Sequence, residues 1–185
     1  MRVGIAHHLG WAVAVTATTG HRVVDRRRIE LIEPGVPVAP VEHEVEGLAD
    51  AAAAELVARA RASAARAAAA ALDELVAAVR EPIVSLSLRA WPPDFPDDIA
   101  TLRRAPYDAR ADSVMYRQVL DDQARARGWA VHLYAAGDVE RRAAALLGDR
   151  AAAVLHGPRD ALGPPWTKDH RAALAATVLA AVGTP

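Results

Sequence analysis

Two histidines, His7 and His8, follow a short apolar run, and an Asp169-His170 pair stands near the other end of the chain. Imidazole changes charge near neutral pH, so such residues suit catalysis or ligand binding. If the run 2–6 is a strand, a period of two puts Ala6 and His8 on one face. Asp169 falls in the first turn of a helix with Thr167 as N-cap. An acid there satisfies orphan amides and complements the macrodipole, and the same helix end favours an anion nearby. Trp91, Pro92, Pro93, Phe95 and Pro96 follow a middle strand, and Pro164-Pro165-Trp166 precede the last helix. Loops at strand carboxyl ends form the ligand crevice of an open α/β sheet. Trp91, Tyr107 and Trp166 are therefore candidates for an aromatic wall over Asp169; the plainer reading is that Trp-Pro clusters pin long loops. Arg89, Arg103, Arg104 and Arg110 gather around the same loop and suit a phosphate or a single-stranded base. Asp94, Asp97, Asp98 and Asp108 interleave with them, which makes a solvated ion-pair surface the plainer reading.

Other chemistry finds little support. There is no cysteine, so thiolate metal sites, disulfides and cysteine nucleophiles are excluded. No phosphate-binding loop, dinucleotide fingerprint or nucleophile elbow is present. Ser85 and Ser87 alternate along a strand and Ser113 lies in a helix, none with the flanking signature of a nucleophile. The 22 basic and 23 acidic residues give a net charge of -1, which lends no support to a nucleic-acid partner.

These side chains need a frame. The chain has 185 residues, 52% hydrophobic and 24% charged, which predicts one packed domain spanning residues 1–185. No signal peptide or membrane-spanning run is evident, so a cytoplasmic protein without membrane association is expected. Lys168 is the only lysine among many arginines and alanines, the composition of a high-GC bacterial genome. Strands are expected at 2–6, 11–16 and 22–32, joined by tight turns into an antiparallel meander. Alanine dominates 45–80 and predicts a long helix, with Leu72, Leu75, Val76 and Val79 near helical spacing. A buried strand follows at 83–88, then a proline-rich loop at 89–106. A helix at 108–127, a strand at 129–134, a helix at 138–147, an irregular stretch at 157–165 and a helix at 167–182 complete the chain. Helical crossovers imply parallel pairing of the later strands, so the sheet is mixed and flanked by helices. Arg26-Arg27-Arg28 on the third strand suit an edge that blocks further pairing.

That element order resembles the ribonuclease-H-like fold. Val3-Gly4-Ile5-Ala6, followed by Gly10-Trp11-Ala12-Val13-Ala14-Val15, looks like the opening of Holliday-junction-resolvase-type members. Asp169-His170-Arg171-Ala172-Ala173 looks like their last helix. The resemblance implies a two-magnesium nuclease whose carboxylates clamp the scissile phosphate. The first-strand acid, however, falls on Ala6. The middle-strand acid falls near Leu88 and Arg89, or near Ala135 and Ala136, and the second acid of the last helix falls on Ala172. Only Asp169 survives, so two-metal cleavage is not expected.

On that fold His8, Asp169 and His170 become neighbours. Two imidazoles and a carboxylate can hold zinc, iron or manganese, but the spacing matches no local metal motif, and no metal or cofactor is assigned. Two functions are expected. One is a catalytically degenerate binding or interaction module. The other is an unorthodox hydrolase, nuclease or ligand site with His8, Asp169 and His170 as catalytic residues and Trp91, Arg89, Tyr107 and Trp166 as ligand contacts. The helix from 47 to 80 would overhang six-residue strands. Its Ala60, Ala64, Ala67, Ala68 and Ala71 offer a flat face for a two-fold copy, predicting a homodimer. The alternative is that the segment 143–156 of the same chain covers it.

Overall fold

The computed structural model describes residues 1–181. Five strands run β1 (Arg2–His7), β2 (Trp11–Ala17), β3 (Val23–Glu30), β4 (Ser85–Arg89) and β5 (Ala130–Tyr134). Their spatial order is β3-β2-β1-β4-β5. The first three pair antiparallel, and β4 lies parallel to both β1 and β5. The expected mixed sheet is therefore the one observed. The helices are α1 (Asp50–Ala78), α2 (Ile99–Leu102), α3 (Asp108–Ala126), α4 (Val139–Leu147), α5 (Ala151–Leu155), α6 (Pro158–Leu162) and α7 (Lys168–Ala180).

Alternation along the strands divides the core in two. Val3 and Ile5 of β1, Ala12 and Ala14 of β2, and Leu86 and Leu88 of β4 face α1 and α3. From the helices they meet Leu72, Leu75, Met115, Tyr116, Val119 and Leu120. Val13, Val15 and Ala17 point the other way, into a core built by α4, α5 and α7. There α7 lies directly on the middle of the sheet. A Cβ added at Gly4 would stand 1.8 Å from the Ala173 carbonyl oxygen, so only glycine permits that approach. Ala173, Ala175 and Ala176 supply the matching flat surface, and Ser87 Oγ donates to the Ala176 carbonyl at 3.3 Å.

Several boundaries differ from expectation. The long helix starts at Asp50 rather than near residue 45, because Gly47 adopts φ +75° and breaks the run. Before it, Pro40–Glu44 forms one π-helical turn. The loop 89–106 contains α2, whose first amides are capped by the Asp98 side chain through Thr101 N at 2.9 Å. The stretch 157–165 was expected to be irregular, yet α6 occupies much of it, with Pro158 at its start. The last helix was expected to reach Val182; it runs to Ala180, and Val182 lies outside the described residues.

The long helix is also used differently. Ala60, Ala64 and Ala68 are fully buried and Ala71 nearly so, within this chain. Their neighbours belong to α3 and β3, not to the segment 143–156, which packs on the opposite face with α7. The face assigned to a two-fold copy is thus occupied by the chain's own core. β3 does form a sheet edge, but its arginines do more than repel. Arg26 donates to the carbonyls of Leu162, Pro164 and Pro165, and Arg28 sits 4.0 Å over the Trp11 ring.

Candidate functional site

The carboxyl ends of β1 and β4 point toward the amino-terminal turn of α3. β1 ends at His7, and the chain reverses through His8, Leu9 and Gly10, with His8 N donating to Trp11 O at 2.8 Å. Gly10 adopts φ +76°, and a Cβ there would meet Val38 at 2.9 Å. The π-helical turn is hung on α3. Asp112 accepts the backbone amides of Val41 at 3.1 Å and Glu42 at 3.0 Å, and Tyr116 Oη donates to Val38 O at 2.9 Å. Burial raises the Asp112 pKa, and those two amides oppose the rise. Between these elements lies a cleft of about 240 Å³, lined by His7, His8, Arg89, Glu42, Asp108, Asp112 and Ser113 among others.

The α1/α3 side of the cleft is a polar network of half-buried His7 and Ser113 on buried Arg117. His7 Nε2 and the Ser113 hydroxyl share a hydrogen bond at 3.1 Å. Arg117 Nη2 donates to Ser113 Oγ at 3.3 Å, its Nε to Ser113 O at 3.0 Å and its Nη1 to Ala90 O at 2.7 Å. Burial above all, then the positive charges of Arg117 and Arg89, pull the His7 pKa down to about 3, so the ring is neutral at physiological pH. Burial, reinforced by Arg89, pushes Arg117 down to about 10. The guanidinium stays charged although only 6% of the residue is exposed, and every acceptor it meets is uncharged.

His8 turns to the other face of the sheet, as its period-two position requires. Its Nε2 meets Asp169 Oδ2 at 3.1 Å, with 42% of the His8 side chain and 35% of the Asp169 side chain exposed. The ring stacks on Trp11 at 4.1 Å between centroids. This exposed Asp–His pair can orient an imidazole toward solvent for proton transfer or ligand contact.

The other candidates disperse. His170 is buried, and its Nδ1 closes the capping box of α7 against Thr167 N at 3.2 Å and Thr167 Oγ1 at 2.8 Å. Burial, with Arg26 nearby, lowers its pKa. Trp166 is buried beside it in the α7 core, and its indole N–H donates to Leu155 O at 2.8 Å. Trp91 packs on the opposite core, with Arg117 at 6.0 Å from its ring centre. Trp91 and Trp166 therefore share no wall, because the sheet separates them. Tyr107 makes an edge-on contact with Phe95, which lines a separate apolar groove against α1. Of the expected ligand contacts, Arg89 alone lines the cleft with His8.

Sequence reasoning did not assemble Glu42, Asp112 and the His7–Ser113–Arg117 network. A usable signal exists on α3. Asp108, Ala109, Asp112 and Ser113 recur at spacings that share one helical face, and a polar stripe in an otherwise buried helix marks a lined cavity. Nothing in the sequence places the turn bearing Glu42.

Among the described residues, no three His, Asp or Glu side chains converge as metal ligands, and no helix is long and apolar enough to cross a membrane. No family model matches the chain, and neither a curated protein nor a solved structure matches it significantly.

Proposed function

We propose that this chain is a ribonuclease-H-like domain that binds a ligand or partner and does not cut nucleic acid by two-metal chemistry. The element order and the three-antiparallel, two-parallel sheet support the fold reading. The observation that carries the function is the state of the acid positions. Ala6 and Ala172 stand where that family carries carboxylates, and the one acid retained, Asp169, is engaged by His8 at 3.1 Å. Clamping a scissile phosphate between two divalent ions needs several converging carboxylates. The test is magnesium- and manganese-dependent cleavage of branched DNA and structured RNA. No turnover above background is expected. Robust cleavage abolished by Asp169→Ala overturns the proposal.

A second reading has its own observation. The Asp169–His8 pair is open to solvent rather than sealed, which suits a general base better than a structural contact. Turnover of p-nitrophenyl esters or phosphates that is lost in both His8→Gln and Asp169→Asn would favour a hydrolase. Absence of turnover favours the binding domain.

A further inference from the structure

The cleft between the strand ends and α3 has two walls of opposite charge. On the sheet side stand Arg89 at the end of β4 and neutral His7, and they face Ser113 of α3, behind which Arg117 is buried. On the helix side stand Glu42 of the π-helical turn and Asp108 at the start of α3. Neither Glu42 nor Asp108 forms an ion pair with Arg89, and no hydrogen bond or ion pair engages any of these three side chains among the described residues. Asp112 differs, because its two oxygens are filled by the amides of Val41 and Glu42. The cleft thus holds its charges apart and leaves them without a protein partner among the described residues.

Arg117 strengthens the argument. A buried cation normally has a carboxylate partner, since desolvating an unpaired charge is expensive. Among the described residues Arg117 has none, and a second cation, Arg89, is close enough to disfavour its charge further. An anion seated by Ser113 would relieve both. A simple anion would, however, face Glu42 and Asp108 across the same small volume. A ligand carrying a positive group as well satisfies both walls.

We propose that this cleft binds a small zwitterion, its anionic group against Arg89 and the Ser113 hydroxyl and its ammonium against Glu42 and Asp108. Phosphate and carboxylate zwitterions share this chemistry, and the volume of about 240 Å³ restricts the ligand to a small molecule. The proposal rests on the reading that the chain is a binding domain, and it names that domain's ligand class.

The test uses the full chain, with amide and indole chemical shifts followed by NMR during titration. The probes are phosphoethanolamine and glycine as zwitterions, inorganic phosphate and acetate as anions alone, and ethanolamine as the cation alone. One zwitterion is expected to bind at least about tenfold more tightly than its matched anion and than ethanolamine. Arg89→Gln should weaken it by about tenfold or more, as should Glu42→Gln, while Glu42→Gln leaves binding of the matched anion equal or tighter. Both residues are exposed, so both variants should fold, with an unchanged Tm as the control. Equal affinity for zwitterion and matched anion overturns the proposal. So does zwitterion binding that neither variant weakens, or no saturable binding by any probe up to about 10 mM. The nuclease assay is a separate readout. Metal-dependent cleavage would overturn the binding-domain reading whatever the titrations show, and failed titrations without cleavage would overturn only the ligand class.

Discussion

His7 is kept neutral by burial and by two arginines, and its pKa lies near 3 against an ordinary 6.5. The unfolded chain therefore takes up a proton on His7 between those values while the folded chain does not. Stability is fully present above the ordinary value and is lost as pH falls toward the depressed one. His21, His132 and His170 are lowered by burial too and act in the same direction. Asp112, raised by burial, acts in the opposite direction at lower pH. The expected outcome is a urea midpoint that drops from about pH 7 to about pH 4, with a smaller drop in His7→Gln. An identical pH profile in that variant would show that His7 is not the buried neutral group. The two histidines also show what was legible. Strand alternation gives the face of His8, and its approach to Asp169 was expected only on the condition that the chain takes the fold its element order resembles. His7 lies one residue earlier, so the same alternation sends it to the α3 side, where Ser113 and Arg117 await it. That partnership depends on how α3 docks, which no local spacing encodes. His170 stands apart from the His8–Asp169 pair for a related reason. At N3 of a helix a side chain can cap its own backbone, and here that local bond outcompetes a role in the site.

At the scale of elements, α7 decides how the sheet is covered. Gly4 lies at the centre of β1, and the Ala173 carbonyl occupies the space a side chain would need. Neither atom belongs to a flexible group, so Gly4→Ala must push the helix off the sheet. Over-packing of this kind typically costs about 1–3 kcal/mol, and backbone against backbone places it at or above the upper end. Urea unfolding of Gly4→Ala should show a loss of at least about 3 kcal/mol. A loss under about 1 kcal/mol would mean that α7 can slide at no cost. The sequence of elements and the antiparallel-then-parallel pairing were legible from apolar runs and the lengths between them, whereas the spatial order of the strands was not. The short helices α2, α5 and α6 were not, since each is four or five residues long and too short for periodicity to register. They form where side chains or proline supply the first turn. Asp98 caps α2, and Pro158 opens α6.

For the whole molecule the question is what covers α1. Its 29 residues extend about 43 Å, well beyond a strand of the sheet. The expected overhang is taken up inside the chain, because α3, β3, α2 and the π-helical turn all pack along it. Charged anchors hold it there. Arg61 donates to Gln118 at 2.9 Å, Arg66 pairs with Glu33, and Arg127 reaches back to Asp73 at 2.6 Å. Small side chains on the inner face serve close approach within the domain rather than between copies. A glutamate at Ala64 or Ala68 would bury an unpaired carboxylate, so Ala64→Glu and Ala68→Glu should each cost at least about 3 kcal/mol. Ala62 is on the exposed face, and Ala62→Glu should change stability by no more than about 0.5 kcal/mol. This separates two roles for the helix. A proposed homodimer through α1 must now use the outer face, near Glu55, Arg59 and Ala62, all exposed. Sedimentation at tens of micromolar then decides: dissociation by Ala62→Glu at unchanged Tm would support that dimer. If Ala64→Glu instead dissociates a dimer without lowering Tm, the inner face is an interface after all and the packing of α1 on α3 is wrong.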